Sequence, residues 1–547
     1  MKISIQILII LILSLESASS QTFNAYVTMV NGIEYRIDPR IELFNIVAMQ
    51  IGHSGMTLSN IPYKQQALKR FSDYQAHPAP KVLRETWEKG WGIDDPMFFL
   101  LYLNEDFSIK EELDTDIITR GGGKEQLESL AASLKEYAEA SDFYSFFNDE
   151  QKDFYEQVLF QTRYNFRSFE AVDVLENFYG KGNGKYTVML NLISDYGNFG
   201  KIMELGGVSL FYAIISTPLA SGDVPVFKPN LSTQELILHE FSHGFVNPQV
   251  NPFSDRLSGY SPLYGPIEQA MKSQAYHHWH TVVNEHVVRA AVLEMLSQEL
   301  PEILVRNTLY RKEMGRQFIY IDKIREKLAG YQQNREVYPS FKDFVPELIT
   351  VFDEITPDYI TGRINEPLLV EMAGNKKIPK PYDFQKDSTT FFIVGTKEPD
   401  PIAQQEMHAF ADEYRQMFSK DIRFLTDEEA LEMDLKNHDL VLFGTVEGNL
   451  LLKKHMSNLP ISISEKGVVT NRFIEGEDLQ LVTSWISPYN KEKSFIVYTA
   501  QKTKNIKNFY HSMHKDQFHY WVAKDLITID KGDYKKYWNI WMVDIFE

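Results

Sequence analysis

Hydrophobic positions first alternate along the chain and then recur at helical spacing. Residues 26–37 alternate on either side of Asn31-Gly32, a dipeptide typical of the tight turn between two antiparallel strands, which predicts a β-hairpin. Asp38-Pro39 then predicts the start of a helix that runs to about Gln50. Apolar residues spaced three and four apart predict a mostly helical region over about residues 60–175.

The middle of the chain combines strand and helix patterns. Residues 185–193 and 208–215 predict two strands, and a short apolar helix follows them. Ser232 and Glu235 fit the capping box of that helix, so we expect Ser232 as its N-cap. We expect the helix to stop at Gly244, because glycine commonly ends helices. A second helix is predicted from about residue 267 to 300, interrupted near residues 277–280, and further helical segments follow to about residue 355.

Proline, glycine and lysine concentrate between about residues 357 and 387, which indicates a boundary. Beyond it, strand and helix patterns alternate, as in an α/β layer with a mostly parallel sheet. The predicted fold class is therefore α+β: a mainly helical domain with a small sheet over residues 21–375, then an α/β accessory domain over residues 386–547.

Composition limits the class of protein. A chain of 547 residues with 44% hydrophobic residues can bury several cores. Its formal net charge of −19 disfavours binding to nucleic acid or to anionic membranes. It contains no cysteine, so disulfides and lipid attachment through cysteine are excluded.

The first twenty residues predict a secretory signal peptide. Lys2 precedes an apolar run of about a dozen residues, and Ala18-Ser19-Ser20 supplies small residues for cleavage before Gln21. We therefore expect a secreted or periplasmic protein with no stable membrane insertion after cleavage. An uncleaved anchor is the alternative.

The predicted helix after the two strands contains His239-Glu240-Phe241-Ser242-His243, an H-E-x-x-H pattern. Positions i and i+4 share one face of a helix, so both imidazoles can bind one metal ion, for which zinc is the expected identity. Glu240 lies next to the first histidine, where a carboxylate can act on water without being a ligand. The alternative is two histidines and a glutamate on the polar side of an ordinary helix.

A catalytic zinc site needs a third protein ligand and an open position for water. Two carboxylates downstream fit this role. Glu285 follows His243 by 42 residues and Glu268 follows it by 25 residues. The residues alone do not decide between them.

His239-Glu240-Phe241-Ser242-His243, together with Asn284-Glu285 on a following helix, resembles the gluzincins, the thermolysin-like class of zinc metallopeptidases. The amino-acid sequence around these two helices also resembles a functionally uncharacterised family of secreted bacterial proteins grouped with the metallopeptidases. The resemblance extends over about residues 21–360 and implies a zincin-like domain with Glu285 as the third zinc ligand.

Two features depart from that class. The separation between His243 and Glu285 is longer than in thermolysin-like enzymes. Arg289 stands where those enzymes carry an aspartate that supports a ligand histidine. Support must come from elsewhere, with Asn247 and Asp255 as candidates.

The function implied is hydrolysis of peptide bonds in a peptide or protein substrate by a zinc-bound water, with Glu240 as general base. Candidates for stabilising the oxyanion are Tyr260, Tyr264, His280 and Arg289. His277, His278 and His286 are further possible ligands, although most histidines outside a motif are structural. The alternatives are a zinc hydrolase of another amide or ester, such as a cell-wall peptide, and a catalytically inactive envelope binding protein. The oligomeric state is not predicted.

Overall fold

The computed structural model describes residues 22–53, 61–92, 94–110, 113–194, 197–216, 220–221, 224–228, 230–365, 377–507, 509, 518–537 and 540–545. The predicted signal peptide, residues 1–20, lies outside the described residues, and so do residues 366–376 of the predicted boundary region.

The chain forms two compact units. The first comprises the described residues of Met1–Asn165, Thr187–Phe199 and Ile214–Phe227, and the second comprises those of Phe166–Tyr186, Gly200–Ala213 and Lys228–Glu547. The domain division predicted near residues 375–386 stays a prediction.

The first unit begins with the predicted hairpin. Strands β1 (Tyr26–Val30) and β2 (Ile33–Ile37) pair antiparallel, with Val30 opposite Ile33. Asn31 and Gly32 both have positive φ, 48° and 80°, as this two-residue turn requires. The prediction of a hairpin is confirmed.

The predicted helical region is also confirmed. Its α-helices α1–α8 are Pro39–Gln50, Pro62–Arg70, Pro78–Glu88, Asp95–Leu101, Thr115–Arg120, Lys124–Ala140, Phe143–Ser145 and Lys152–Phe166. A buried carboxylate lies within this unit: Glu42 of α1 accepts a hydrogen bond from the Tyr63 hydroxyl, which lies 2.7 Å from the Tyr155 hydroxyl. Burial raises the pKa of Glu42 to about 8.

The second unit contains the helices around the H-E-x-x-H pattern. Helices α9–α18 are Ala171–Tyr179, Leu231–Val250, Ser254–Ser258, Glu268–Lys272, Trp279–Glu299, Glu302–Val305, Arg311–Gly315, Ile321–Gln333, Phe341–Leu348 and Pro357–Ile364. The predicted interruption of the second long helix is present, because α13 begins only at Trp279.

A five-stranded sheet has the order β1-β2-β3-β5-β4. Its last three members are β3 (Gly184–Asn191), β4 (Phe199–Leu205) and β5 (Val208–Ser216). Strands β3 and β5 were predicted, whereas β4 was not. Strand β4 lies at the edge, next to β5. Two short strands, β6 (Ala220–Ser221) and β7 (Val224–Pro225), pair with each other.

The C-terminal part of the second unit contains a seven-stranded sheet of order β17-β16-β14-β15-β10-β8-β9. Strands β8–β19 are Thr390–Val394, Arg423–Thr426, Asp439–Phe443, Ser462–Ser464, Gly467–Val469, Phe473–Glu475, Leu479–Ser487, Asn490–Ala500, Tyr520–Lys524, Ile527–Gly532, Tyr534–Tyr537 and Ile540–Val543. Helices Pro401–Phe418, Asp427–Leu431 and Leu450–His455 connect its first strands.

The pairing in this sheet is parallel from β9 through β8 and β10 to β15 and antiparallel from β15 through β14 and β16 to β17. It is therefore mixed, with a parallel half where the sequence predicted a mostly parallel sheet. With about 50% helix and 21% strand, the described residues confirm the α+β class. Among the described residues, none of the helices combines the length and apolar character needed to cross a membrane.

Candidate metal centre

The helix that carries the H-E-x-x-H pattern starts and ends differently from the prediction. Asn230 is its N-cap, and its side-chain oxygen accepts a hydrogen bond from the Thr233 backbone at 2.9 Å. The predicted capping box of Ser232 and Glu235 is wrong. Glu235 is buried and pairs with Lys312 at 2.7 Å, so tertiary structure uses this carboxylate elsewhere.

Gly244 does not stop the helix, which continues to Val250. A Cβ at Gly244 would lie 2.6 Å from the Phe211 ring of β5. The glycine therefore lets the sheet pack closely against α10, and the prediction of a helix end was wrong because it assigned a packing glycine to a cap.

The two histidines of the pattern face each other across one helical turn. Nε2 of His239 lies 3.2 Å from Nε2 of His243. Ligand atoms bound to tetrahedral zinc at about 2.0–2.1 Å lie about 3.3 Å from one another. The spacing of the two imidazole nitrogens therefore fits one metal ion.

Glu285 of α13 lies beside both histidines. Its Oε2 is 3.6 Å from His239 Nε2, and its Oε1 is 3.4 Å from His243 Nε2. These distances also match the edge of a zinc tetrahedron. Glu268, the other candidate ligand, has an exposed side chain on α12 and pairs with Lys272 at 2.7 Å.

Glu240 lies at the same place. His239, Glu240 and His243 offer ligand atoms that all lie within 4.8 Å of one another. Because Glu285 also contacts both histidines, two sets of three donors share the imidazole pair. Glu285 is therefore a candidate third ligand, since each of its oxygens is within 3.6 Å of a histidine nitrogen. Glu240 is the second carboxylate beside the two imidazoles.

The electrostatics distinguish the two carboxylates. Burial, and next the charge of Glu285, raise the pKa of Glu240 to about 8. Burial is the largest effect on Glu285 and by itself would raise its pKa, but the charges of Arg289, His243 and Arg316, with the hydrogen bond from Arg289, together outweigh burial and hold that pKa below its usual range. In the chain without an ion, Glu285 is thus kept ionised, whereas Glu240 holds its proton to higher pH than an ordinary glutamate does.

The outer nitrogens of the histidines differ. Nδ1 of His243 lies 3.3 Å from the side-chain oxygen of Asn247, and donating a proton there turns the lone pair of Nε2 toward the site. Asn247 was one of the two predicted supports, and the other, Asp255, has an exposed position on α11. Nδ1 of His239 is buried without a hydrogen-bond partner among the described residues. Burial lowers the pKa of His239 well below its usual value, which favours the neutral imidazole that binds metals.

A buried ionic network surrounds Glu285. Arg289 donates to Glu285 Oε2 and to Glu313 Oε2, each at 2.9 Å. Lys312 lies 3.1 Å from Glu313 and 2.7 Å from Glu235. Arg289 thus pairs with Glu285 on its own helix. The other members of the network, Glu313, Lys312 and Glu235, were not predicted, because no motif spacing connects them with the H-E-x-x-H pattern.

The predicted oxyanion donors have other contacts. The Tyr260 hydroxyl donates to Asp353, that of Tyr264 donates to the Tyr276 carbonyl, and His280 Nε2 contacts the Ser254 carbonyl. Arg289 is 4% exposed and joined to two carboxylates. Sequence reasoning missed Tyr276, whose hydroxyl accepts from Arg289 at 3.2 Å; an aromatic residue at a helix interruption gave no signal.

The three additional histidines do not join the site. His277 and His278 are exposed in the segment before α13. His286 is buried, its Nδ1 donates to the Val282 carbonyl at 2.8 Å, and its ring packs against Phe318 and Tyr320. These contacts make His286 a core residue.

Edge strand β4 passes close to α10 at Glu240. A Cβ at Gly200 would lie 2.2 Å from the Glu240 carbonyl oxygen, so only glycine permits this approach. The backbone of this edge strand thus contacts the backbone of α10 at Glu240, one residue after His239.

The fold and this site define an α+β protein with a buried two-helix centre of two histidines and two carboxylates. Residues 33–351 match the family described as Domain of unknown function (DUF4932), and because the match covers more than half of the chain, the chain belongs to that family. The matched segment includes α10, α13 and α15 and ends before β8. No curated protein and no solved structure matches the chain.

Proposed function

We propose that this protein is an exported zinc-dependent peptidase. The observation that carries the proposal is the spacing of three side chains beside Glu240: the Nε2 atoms of His239 and His243 lie 3.2 Å apart, and each lies within 3.6 Å of one oxygen of Glu285. Two nitrogens and one carboxylate oxygen form a ligand set that catalytic zinc uses, with a fourth position left for water. The predicted signal peptide supports export.

The residues divide the work of hydrolysis. His239, His243 and Glu285 would hold the ion, which when bound activates water and polarises a carbonyl group. Glu240 accepts the proton of the attacking water and passes it to the leaving amine. In the chain without an ion, burial and the charge of Glu285 raise the pKa of Glu240 to about 8, so this carboxylate holds a proton more tightly than an exposed glutamate does.

An extended peptide is the substrate class that the surroundings favour. The β4 backbone lies at the sheet edge and reaches Glu240 through Gly200. Pairing of a substrate strand with β4 would bring its amide bonds past the centre in a regular register.

Metal analysis and substitution test the proposal. The purified chain should hold about one zinc ion, Glu285→Ala should lose it, and the matched control Glu268→Ala should retain it. Glu240→Gln should keep zinc and lower the rate of cleavage in a peptide library by about 10²–10⁴-fold. Cleavage by Glu240→Gln at the parent rate would refute the mechanism, and a parent without zinc would refute the proposal itself.

A further inference from the structure

The two oxygens of the Glu285 carboxylate have different neighbours. Oε2 accepts a hydrogen bond from Arg289 at 2.9 Å and lies 3.6 Å from His239 Nε2. Oε1 lies 3.4 Å from His243 Nε2. Each oxygen therefore lies beside one histidine, and only Oε2 is also held by the guanidinium of Arg289.

We infer that Arg289 is a positioning residue that holds Oε2 of Glu285, so that Oε1 would be the freer donor to a metal ion. The inference rests on the proposed function for the metal ion and goes beyond it in assigning the coordination mode. A carboxylate that is free to rotate can bind a metal through both oxygens. Holding one oxygen of Glu285 would keep the coordination number of a bound metal low and leave one coordination position open for water.

Arg289 can do this because it is itself fixed. Its other terminal nitrogen donates to Glu313 Oε2 at 2.9 Å, and its guanidinium lies 4.3 Å from the centre of the Phe318 ring. The side chain is 4% exposed, so solvent does not compete for its donors. The planar guanidinium of Arg289 hydrogen-bonds to both carboxylates and so fixes the direction and length of each contact, which a lysine ammonium does not do.

Glu313, the carboxylate that anchors Arg289, is connected through further ion pairs to α10, the helix that carries the histidines. Glu313 contacts Lys312 at 3.1 Å and Arg316 at 3.7 Å, and Lys312 reaches Glu235 on α10 at 2.7 Å. Glu235 lies one helical turn before His239. The charges alternate along this chain of contacts, so each buried carboxylate has a cation beside it. The network thus fastens the Glu285 helix and the histidine helix to α15.

Two effects of removing Arg289 have opposite signs. Loss of a positive charge near a cation site would by itself tighten metal binding. Loss of ligand orientation weakens it, and removing outer partners of metal ligands typically costs about 10–100-fold in affinity. The direction of the change therefore reports whether Arg289 positions Glu285.

The test compares Arg289→Met with Arg325→Met in the full-length protein. Arg325 of α16 contacts Glu294 of α13 at 3.5 Å and Ser297 of α13 at 3.0 Å, which makes it a partly buried arginine that pairs with the same helix as Arg289 does, outside the centre. Zinc affinity is measured by competition with a chromogenic chelator, and the visible spectrum of the Co²⁺-substituted protein reports coordination number. We expect Arg289→Met to bind zinc about 10–100-fold more weakly and to shift the Co²⁺ spectrum toward higher coordination, while Arg325→Met keeps the parent affinity and spectrum.

A second variant keeps the test decisive if Arg289→Met does not fold. Glu313→Gln preserves the shape of the anchor and removes its charge, and it should weaken zinc binding in the same direction by a smaller factor. Parent affinity and spectrum in the folded variant, or tighter binding, would overturn the inference while leaving zinc binding intact. A parent protein that binds no zinc would overturn the proposed function as well, so the two failures are distinguishable.

Discussion

In the metal-free protein, Glu240→Gln should stabilise the fold, and by more as the pH rises. Glu240 is 7% exposed, and burial, together with the nearby charge of Glu285, raises its pKa to about 8 from an ordinary value of 4.5. A raised folded-state pKa contributes stability that is fully present below pH 4.5 and is lost as the pH rises toward 8. Glutamine has no proton to lose and does not incur this loss.

The magnitude follows from the difference between the two pKa values. Each unit corresponds to about 1.4 kcal/mol, so the parent should lose about 3 kcal/mol relative to Glu240→Gln by pH 7 and under about 1 kcal/mol at pH 5. A loss of this size is a large fraction of the net stability of a typical domain.

Urea unfolding in the presence of a chelator, followed by tryptophan fluorescence at pH 5 and pH 7, measures the effect. Since the parent and variant are compared at each pH, titration of other groups largely cancels. Glu268→Gln is the control, because its exposed ion pair with Lys272 is worth at most about 1 kcal/mol at either pH. A parent–variant difference that stays constant between pH 5 and pH 7 would refute the reasoning.

Two further predictions concern other buried positions. Glu42→Gln should likewise become stabilising between pH 4.5 and about 8 in pH-dependent urea unfolding, because burial raises the pKa of Glu42 to about 8; a flat difference would contradict this. Gly200→Ala should cost about 1–3 kcal/mol and weaken zinc binding, because its Cβ would meet the Glu240 carbonyl oxygen at 2.2 Å. Gly330→Ala is the control, because its added Cβ would have nothing within 4 Å, and it should be neutral or stabilising in thermal melts. Parent-like zinc affinity in folded Gly200→Ala would contradict the expectation that the contact between β4 and Glu240 shapes the centre.

Local chemistry made part of the structure predictable. The hairpin followed from Asn31-Gly32, whose backbone requirements depend on those two residues alone. The spacing of His239 and His243 placed both imidazoles on one helix face for the same reason. Where the outcome depended on residues distant in sequence, as for the role of Gly244 against β5, prediction from the sequence failed.

The choice between Glu285 and Glu268 shows the same limit. Both carboxylates follow the second histidine at reasonable separations, and only tertiary packing puts one beside the imidazoles and the other in solvent. The partners Lys312 and Glu313 lie still further along the chain, and no spacing rule connects them with His239. A sequence pattern can indicate the chemistry of such a site without indicating what holds it in place.

Helix α15 also links the centre to the C-terminal two-stranded sheet of β18 and β19, which bears on the role of the C-terminal part of the chain. Lys312 and Glu313 belong to the ionic network, whereas a Cβ at Gly315 would lie 2.5 Å from Ile540 of β19, and Arg311 donates to the Asn458 carbonyl at 3.1 Å. One short helix therefore contacts both the candidate centre and the C-terminal strands. Removing those strands would uncover Gly315 on α15 and loosen Glu313, which fixes Arg289. Loss of hydrolysis in a truncated chain would therefore not show that the C-terminal strands bind substrate. Measuring zinc affinity distinguishes these two roles of the C-terminal strands. Losing the contacts that fix Arg289 would lower zinc affinity, whereas losing a substrate-binding surface would not.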